Sequence, residues 1–416
     1  MSNDKVFNWP IAFIWLFISS IGLTAIYSAT QGPVSEFLPT YIQANFYKQL
    51  GFMIISVLLL VGIQFISPRT WLDFSFLIYA VGLLLMVLTL IFGKEINGAK
   101  SWFSIGPFGI QSSELMKIAT ILAVANYLTS RRNISAENIR SALIAVIIIL
   151  IPTGLVIAQN DFGTAIIFLA LIPVMLFWSG LPYGVSIFMI SPAIILYLTV
   201  LDWRIGAVSV LLISGVIFFI QRRNWLTLLS IFTGIATVVG VQLALTKVLQ
   251  PHQVARIMAF TNPAYDPRGA GWNIIQAKTA IGSGGFTGKG FLQGTQTQLR
   301  FLPESYTDFI FCVVGEEFGF IGAGLLVILF LFLFMRLLNV ASVHKHPFAQ
   351  LVTVSVTSVY FLHFFINVGS ASALLPVIGI PLSFVSYGGS AFLTNTLMLA
   401  IVLNMDLHKR EFSIYR

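Results

Sequence analysis

The chain has 416 residues, of which 57% are hydrophobic and only 9% carry charge. Soluble domains carry about 25% charged residues, so this composition excludes a soluble globular protein, and its hydrophobicity excludes intrinsic disorder. The net charge of +8 does not imply nucleic acid, because basic residues flanking apolar runs set membrane orientation.

A membrane-crossing helix needs about 20 mostly apolar residues. Twelve runs approach that length: Trp9–Thr30, Gly51–Ile66, Phe74–Phe92, Ser113–Thr129, Ala142–Ala158, Phe162–Trp178, Tyr183–Leu201, Ile205–Ile220, Trp225–Thr246, Phe309–Met335, Phe348–Val368 and Ala391–Met405. None alternates with the period of two that a β-barrel requires. The expected fold class is an all-α polytopic integral membrane protein of about 10–12 transmembrane helices, a single domain over residues 1–416. The first run is too long for a signal-peptide core and is expected to remain as an anchor. Lys5, Arg69, Arg131, Arg132, Arg140, Arg222, Arg223, Arg336, Lys345, Lys409, Arg410 and Arg416 fall on one side; the short loops opposite hold Lys48, Lys94, Lys100 and Arg204. Both termini are therefore expected to be cytoplasmic, with the long polar segment 247–307 outside.

Charges within or at the mouth of such a bundle are costly and mark candidate sites. Glu114 and Lys117 open the fourth run three residues apart, on one helix face. They suit either a self-neutralising packing pair or a lysine that meets an anionic headgroup. Asp161 precedes the sixth run, where it can cap the helix or hold a cation or a substrate hydroxyl. Ile281 to Gly290 places five glycines beside Lys289. The run suits turns, or a nest of amides around an anion such as a lipid diphosphate; it lacks the nucleotide-binding P-loop spacing. Asp308 sits where polar loop becomes apolar helix, beside Phe309 and Phe311. It suits a helix cap, or a general base made more basic by partial burial. Glu316 and Glu317 follow about 12–13 Å further along that helix and are expected to serve interhelix contacts. The five histidines lack metal-ligand spacing, and the lone Cys312 excludes an intrachain disulfide and a cysteine-rich metal site.

These segments resemble the shape, elongation, division and sporulation family of peptidoglycan polymerases, in particular its cell-elongation (RodA-like) branch. The matching residues are Asn97-Gly98-Ala99, Gln111, Ser113 to Lys117, Gln159 with Asp161, Gly163 and Thr164, Asp266-Pro267, Gly269 to Gly271, Ile281 to Gly285 and Gly288 to Gly290. They continue with Gly294-Thr295-Gln296, Leu302-Pro303-Glu304, Thr307 to Phe311, Leu375-Pro376, Gly379 to Leu382 and Ser386 to Ser390. Ser101, Ser112, Asn160 and Ser370 depart from the family's usual residues. Family members are described with ten spans, so the resemblance marks 203–246 as an extra transmembrane hairpin.

The resemblance implies an inverting glycosyltransferase of the bacterial cytoplasmic (inner) membrane. It would extend glycan strands on the outer face, from undecaprenyl-diphosphate-linked glycan to the 4-hydroxyl of lipid II. Asp308 would be the catalytic base; Glu114, Lys117, Asp161, Lys289, Gln296 and Glu304 would bind substrate. Lys117, Lys289 and a divalent cation (Mg or Mn) would stabilise the diphosphate leaving group, with no nucleotide and no nucleic acid involved. The implied protein partner, beside membrane lipid, is a class B penicillin-binding transpeptidase. Two other readings fit a membrane bundle: a flippase for the same lipid-linked precursor, and a non-enzymatic scaffold of the cell-wall synthesis complex.

Overall fold

The computed structural model describes residues 7–32, 39–96, 98–105, 108–130, 139–249, 251–267 and 269–414. Lys5, Arg131, Arg132 and Arg416 of the orientation set, and Asn97 of the matching segments, lie outside the described residues. In chain order come helices α1 (Trp9–Gln31), α2 (Thr40–Ile63), α3 (Pro68–Asp73) and α4 (Ser75–Phe92), then strands β1 (Lys94–Ile96), β2 (Ala99–Ile105) and β3 (Phe108–Gln111). Helices α5 (Ser112–Ser130), α6 (Ile139–Ala158), α7 (Phe162–Trp178), α8 (Tyr183–Leu201), α9 (Trp203–Gln221) and α10 (Asn224–Leu243) follow. The remainder holds α11 (Pro251–Thr261), α12 (Ala270–Ser283), α13 (Thr295–Gln298), α14 (Ile310–Val343), α15 (Pro347–Ala371), α16 (Gly389–Leu407) and α17 (Lys409–Ile414).

Among the described residues, ten helices are long and apolar enough to cross a membrane. Helices α5 and α7 occupy two further expected spans: α7 has 17 residues, and α5 carries the buried Glu114 and Lys117. Helices α15 and α16 form the centre, with 67% and 78% of their apolar stretches buried, against 11% for α10 at the rim. Around them, α15 packs on α5, α7 and α14, while α16 packs on α2 and α1 packs on α14. Helices α9 and α10, the expected hairpin, pack on α8 and on each other, joined by a buried Ser214–Ser230 hydroxyl contact of 2.8 Å.

The helical fold carries a small antiparallel sheet, in which β1, β2 and β3 set Trp102 opposite Lys94 on one side and Gln111 on the other. Segment 247–307 contains α11, α12 and α13. Its apolar positions find partners: Ile274, Ala277 and Ala280 are buried, and α12 packs on α14.

The glycine-rich run also takes a place that its composition does not reveal. Helix α14 is broken at Gly319, whose φ of 64° and ψ of −158° are non-helical. A break strands helix amides and carbonyls, which must be paired when buried. Here Lys289 N and Gly290 N donate to the carbonyls of Glu316 and Glu317, each at 3.0 Å. In return Phe320 N and Ile321 N donate to the carbonyls of Gly285 and Phe286 at 2.9 and 3.2 Å. The amides of 289 and 290 therefore complete a broken helix and do not form a free anion nest.

A Cβ on Gly319 would lie 2.2 Å from Gly288 N, in a backbone conformation that side chains rarely adopt. We expect Gly319→Ala to destabilise the protein by about 2 kcal/mol or more, measured by unfolding in detergent. Gly324→Ala, at a position in the same helix with open space around it, should stay within about 1 kcal/mol of the parent.

Candidate active site

The polar groups of the bundle gather at the end where α5, α7, α14 and α16 begin. Glu304, at φ 52°, starts the turn that delivers Asp308. Its carbonyl accepts from the amides of Thr307, Asp308 and Phe309 at 3.2, 3.2 and 3.4 Å. Asp308 is half-buried, with Phe309 and Ile310 buried beneath it. The carbonyls of this turn are fastened in succession: Tyr306 O by Tyr387 N at 2.9 Å, Thr307 O by Ser386 Oγ at 2.6 Å, and Asp308 O by Asn367 Nδ2 at 3.0 Å. The same Asn367 amide donates to Ile380 O at 2.9 Å. Gly379, at φ 82°, sits beside the carboxylate; a Cβ there would lie 3.6 Å from Asp308 Oδ2.

One turn deeper on α15, His363 joins the Glu114–Lys117 pair. Lys117 Nζ lies 2.9 Å from Glu114 Oε1 and 3.2 Å from His363 Nε2, while His363 Nδ1 lies 3.0 Å from Pro381 O. An ammonium can only donate, so Nε2 accepts from it and Nδ1 carries the proton toward Pro381 O. Glu114 and Lys117 are almost completely buried, and among the described residues Glu114 Oε2 has no hydrogen-bond partner. The pair is linked through His363 to the segment beside Asp308.

Asp161 caps α7: its carboxylate accepts from Thr164 N at 3.1 Å, Thr164 Oγ1 at 2.9 Å and Gln111 Nε2 at 2.8 Å. Gln111 N in turn donates to Ser390 Oγ at 3.1 Å, so β3 ties α7 to the start of α16. Gly163, in the first turn of α7, packs against Ile378 and Ile380. The first turn of α7, through Gly163, and Asp308 therefore both lie against the 378–380 segment.

Lys289 and Gln296 both meet the buried Glu316 carboxylate. Lys289 Nζ binds Glu316 Oε1 at 2.9 Å and Thr295 Oγ1 at 2.7 Å. The buried Glu316 carboxylate also accepts from the amides of Gln296 and Thr297, at 2.8 and 3.0 Å, and from Thr297 Oγ1 at 2.7 Å. Lys289 is therefore committed to Glu316, and Gln296 serves Glu316 through its main chain. Glu316 thus holds the loop that covers it, and no longer counts as only an interhelix contact. Glu317 reaches Ser28 of α1, as well as Gln298 Nε2 at 3.2 Å.

Sequence reasoning assigned no role to His363, Asn367, Ser370, Ser386 or Tyr387. Their signal was the 4, 3 spacing of polar residues at 363, 367 and 370, which places one polar stripe along an apolar helix. Ser370 Oγ donates to Pro376 O at 3.0 Å. Among the described residues no three His, Cys, Asp or Glu side chains are grouped to hold a metal ion.

This is a multi-pass membrane protein whose polar groups converge at one bundle end on a half-buried carboxylate. A profile of the FtsW/RodA/SpoVE family, described as cell cycle proteins, matches residues 8–205 and 193–411, and the chain belongs to that family. It is 34% identical over 435 residues to the peptidoglycan glycosyltransferase RodA of Treponema pallidum (strain Nichols), covering 97% of this chain and 98% of that protein. The peptidoglycan glycosyltransferase MrdB of Escherichia coli (strain K12) is 34% identical over 366 residues, covering 88% and 86% of the two chains. Stage V sporulation protein E of Bacillus subtilis (strain 168) is 30% identical, covering 96% and 97%.

Among solved structures, a chain from work on the coordination of polymerization and crosslinking by a peptidoglycan synthase complex shares the fold. Its TM-score is 0.72 at 24% identity, covering 97% of this chain and 98% of that one. The rod shape determining protein RodA of Thermus thermophilus gives a TM-score of 0.63 at 23% identity, covering 98% and 99%.

Near Asp308, burial and then the Glu304 carboxylate push the Tyr306 hydroxyl up to about 12. A raised folded value favours the neutral form, so this stability is fully present below the ordinary value of about 10. It is lost as pH rises from there through about 12. Alkaline titration should show Tyr306 among the tyrosines that ionise late; Tyr306→Phe should remove one group from that late phase and lessen the stability loss in this window.

Proposed function

We propose that this chain is a peptidoglycan glycan-strand polymerase of the bacterial cytoplasmic membrane that acts in cell elongation. Its substrates are undecaprenyl-diphosphate-linked glycan as donor and lipid II as acceptor. The observation that carries the reading is the match along nearly the whole chain to relatives named peptidoglycan glycosyltransferases. The geometry of Asp308 supports its place as the base. Its backbone is fastened on several sides, and its half-buried carboxylate lies at the bundle end that bears the Gly-rich and Leu-Pro-Glu segments.

Asp308 accepts the proton of the acceptor sugar's 4-hydroxyl as that oxygen attacks the anomeric carbon of the donor. The new carbon–oxygen bond forms as the bond to the diphosphate breaks, and undecaprenyl diphosphate departs with the electron pair. A single displacement inverts the anomeric centre and leaves no covalent glycosyl-enzyme. Glu304, exposed on the same turn, and Asp161, at the start of α7, are the proposed partners of substrate hydroxyls. Lys289, paired with Glu316 and Thr295, would reach the diphosphate by sharing those partners.

The described basic residues Arg69, Arg140, Arg222, Arg223, Lys345, Lys409 and Arg410 fall at or near the helix ends opposite Asp308, with Arg336 in the last turns of α14. By the positive-inside rule this distribution supports cytoplasmic termini and an Asp308 end that faces outside. A class B penicillin-binding transpeptidase is the partner proposed to cross-link the product.

The test is purified chain, with its transpeptidase partner, supplied with labelled lipid II. General-base removal costs about 10²–10⁴ in rate, so Asp308→Ala should make at least about a hundredfold less polymer than the parent. Parent-level polymer from Asp308→Ala removes Asp308 as base. Lipid translocation into vesicles without any polymer from the parent replaces the polymerase with a flippase.

A further inference from the structure

The base assignment leaves open what holds Asp308 in place, and the surrounding hydrogen bonds supply a specific answer. We infer that Asn367 and Ser386 are positioning residues for Asp308: together they clamp its main chain to the buried segment that forms the other wall of its niche. The inference rests on the reading of Asp308 as base and deepens it.

Asn367 acts with both hydrogens of its amide. One goes to Asp308 O at 3.0 Å and the other to Ile380 O at 2.9 Å. Ile380 directly follows Gly379, whose backbone lies against the Asp308 carboxylate. One side chain therefore sets the separation between the carboxylate's own backbone and the wall it faces. Among the described residues the buried Asn367 Oδ1 has no partner, so its side chain contributes through the two donor bonds.

Ser386 acts in the same manner from the opposite direction. Its hydroxyl donates to Thr307 O at 2.6 Å and accepts from Leu382 N at 2.9 Å. It bridges the residue before Asp308 to the turn at 382–386, and Tyr387 N adds a main-chain bond to Tyr306 O at 2.9 Å. Three consecutive carbonyls, 306 to 308, are thus anchored on the walls of the niche. Misplacing a catalytic group by about 1 Å can cost a hundredfold in rate, whereas binding through distant contacts is little affected.

Neither residue touches the reacting atoms, so the signature is kinetic. Ser386→Ala removes a donor and an acceptor, while Ser386→Thr keeps both; Asn367→Asp keeps the shape but faces both carbonyls with an acceptor. With the transpeptidase complex and labelled lipid II, Ser386→Ala and Asn367→Asp should lower kcat about ten- to a hundredfold. KM should stay within about threefold and Ser386→Thr should keep kcat within about threefold, the pattern of a lost transition-state geometry. If Asn367→Asp does not fold, as judged by size-exclusion and melting, the Ser386 pair carries the same test. Parent kcat in folded Ser386→Ala, or a loss confined to KM, overturns the clamp while Asp308→Ala stays inactive. Activity in Asp308→Ala instead overturns the base assignment and the clamp with it.

Discussion

Buried backbone that is not helical is the constraint on which this structure depends. Between α15 and α16 the chain runs from Ser372 to Gly388 without a helix, yet Ile380, Leu382, Ser383, Phe384, Val385 and Ser386 are buried. In a membrane protein such a segment is tolerated only where the surrounding protein satisfies its polar groups. The polar stripe of α15 does this, through Ser370 to Pro376 O, Asn367 to Ile380 O and His363 beside Pro381 O. Gln49 of α2 accepts from Gly388 N at 3.3 Å. On α1, Gly22 makes room for the segment: a Cβ there would lie 2.6 Å from Val385 Cα.

The break in α14 solves the same problem by another route. There the partners are main chain to main chain, with 285–290 standing in for the missing helical turn. The two irregular segments grip the ends of one short stretch, Ile310 to Phe318, which is almost wholly buried. Asp308 therefore sits at the head of a fixed stub and not on a free loop. A site needs its first groups held by well-packed neighbours to within a fraction of an ångström, and this arrangement meets that need. Glu316 extends the grip outward by holding the turn at 294–297.

Much of this was legible from residue type and spacing. The apolar runs located the helices, because an apolar face in a bilayer leaves the backbone few alternatives to a helix. Glu114 and Lys117 announced their pairing by a three-residue offset, and Asp161 announced its cap by standing just before a helix. Asp308 stood out as a carboxylate on the border of polar and apolar sequence. The contacts that were hidden are long-range. Lys289 meets Glu316 from 27 residues away, and Lys117 meets His363 from 246. Glycines at 285 and 288 read as flexible turns, and nothing local states that they replace a helical turn of α14. The strands at 94–111 are short, so their pairing depends on the helices that they contact.

The most direct test of the site is an experimental structure of the chain with an unreactive lipid II analogue bound as acceptor. The expected result places the sugar 4-hydroxyl within hydrogen-bond reach of the Asp308 carboxylate, about 2.6–3.2 Å. The bonds from Asn367, Ser386 and Tyr387 to the 306–308 carbonyls should remain intact. An acceptor sugar bound elsewhere, or a 306–308 turn released from those three residues in the complex, contradicts it.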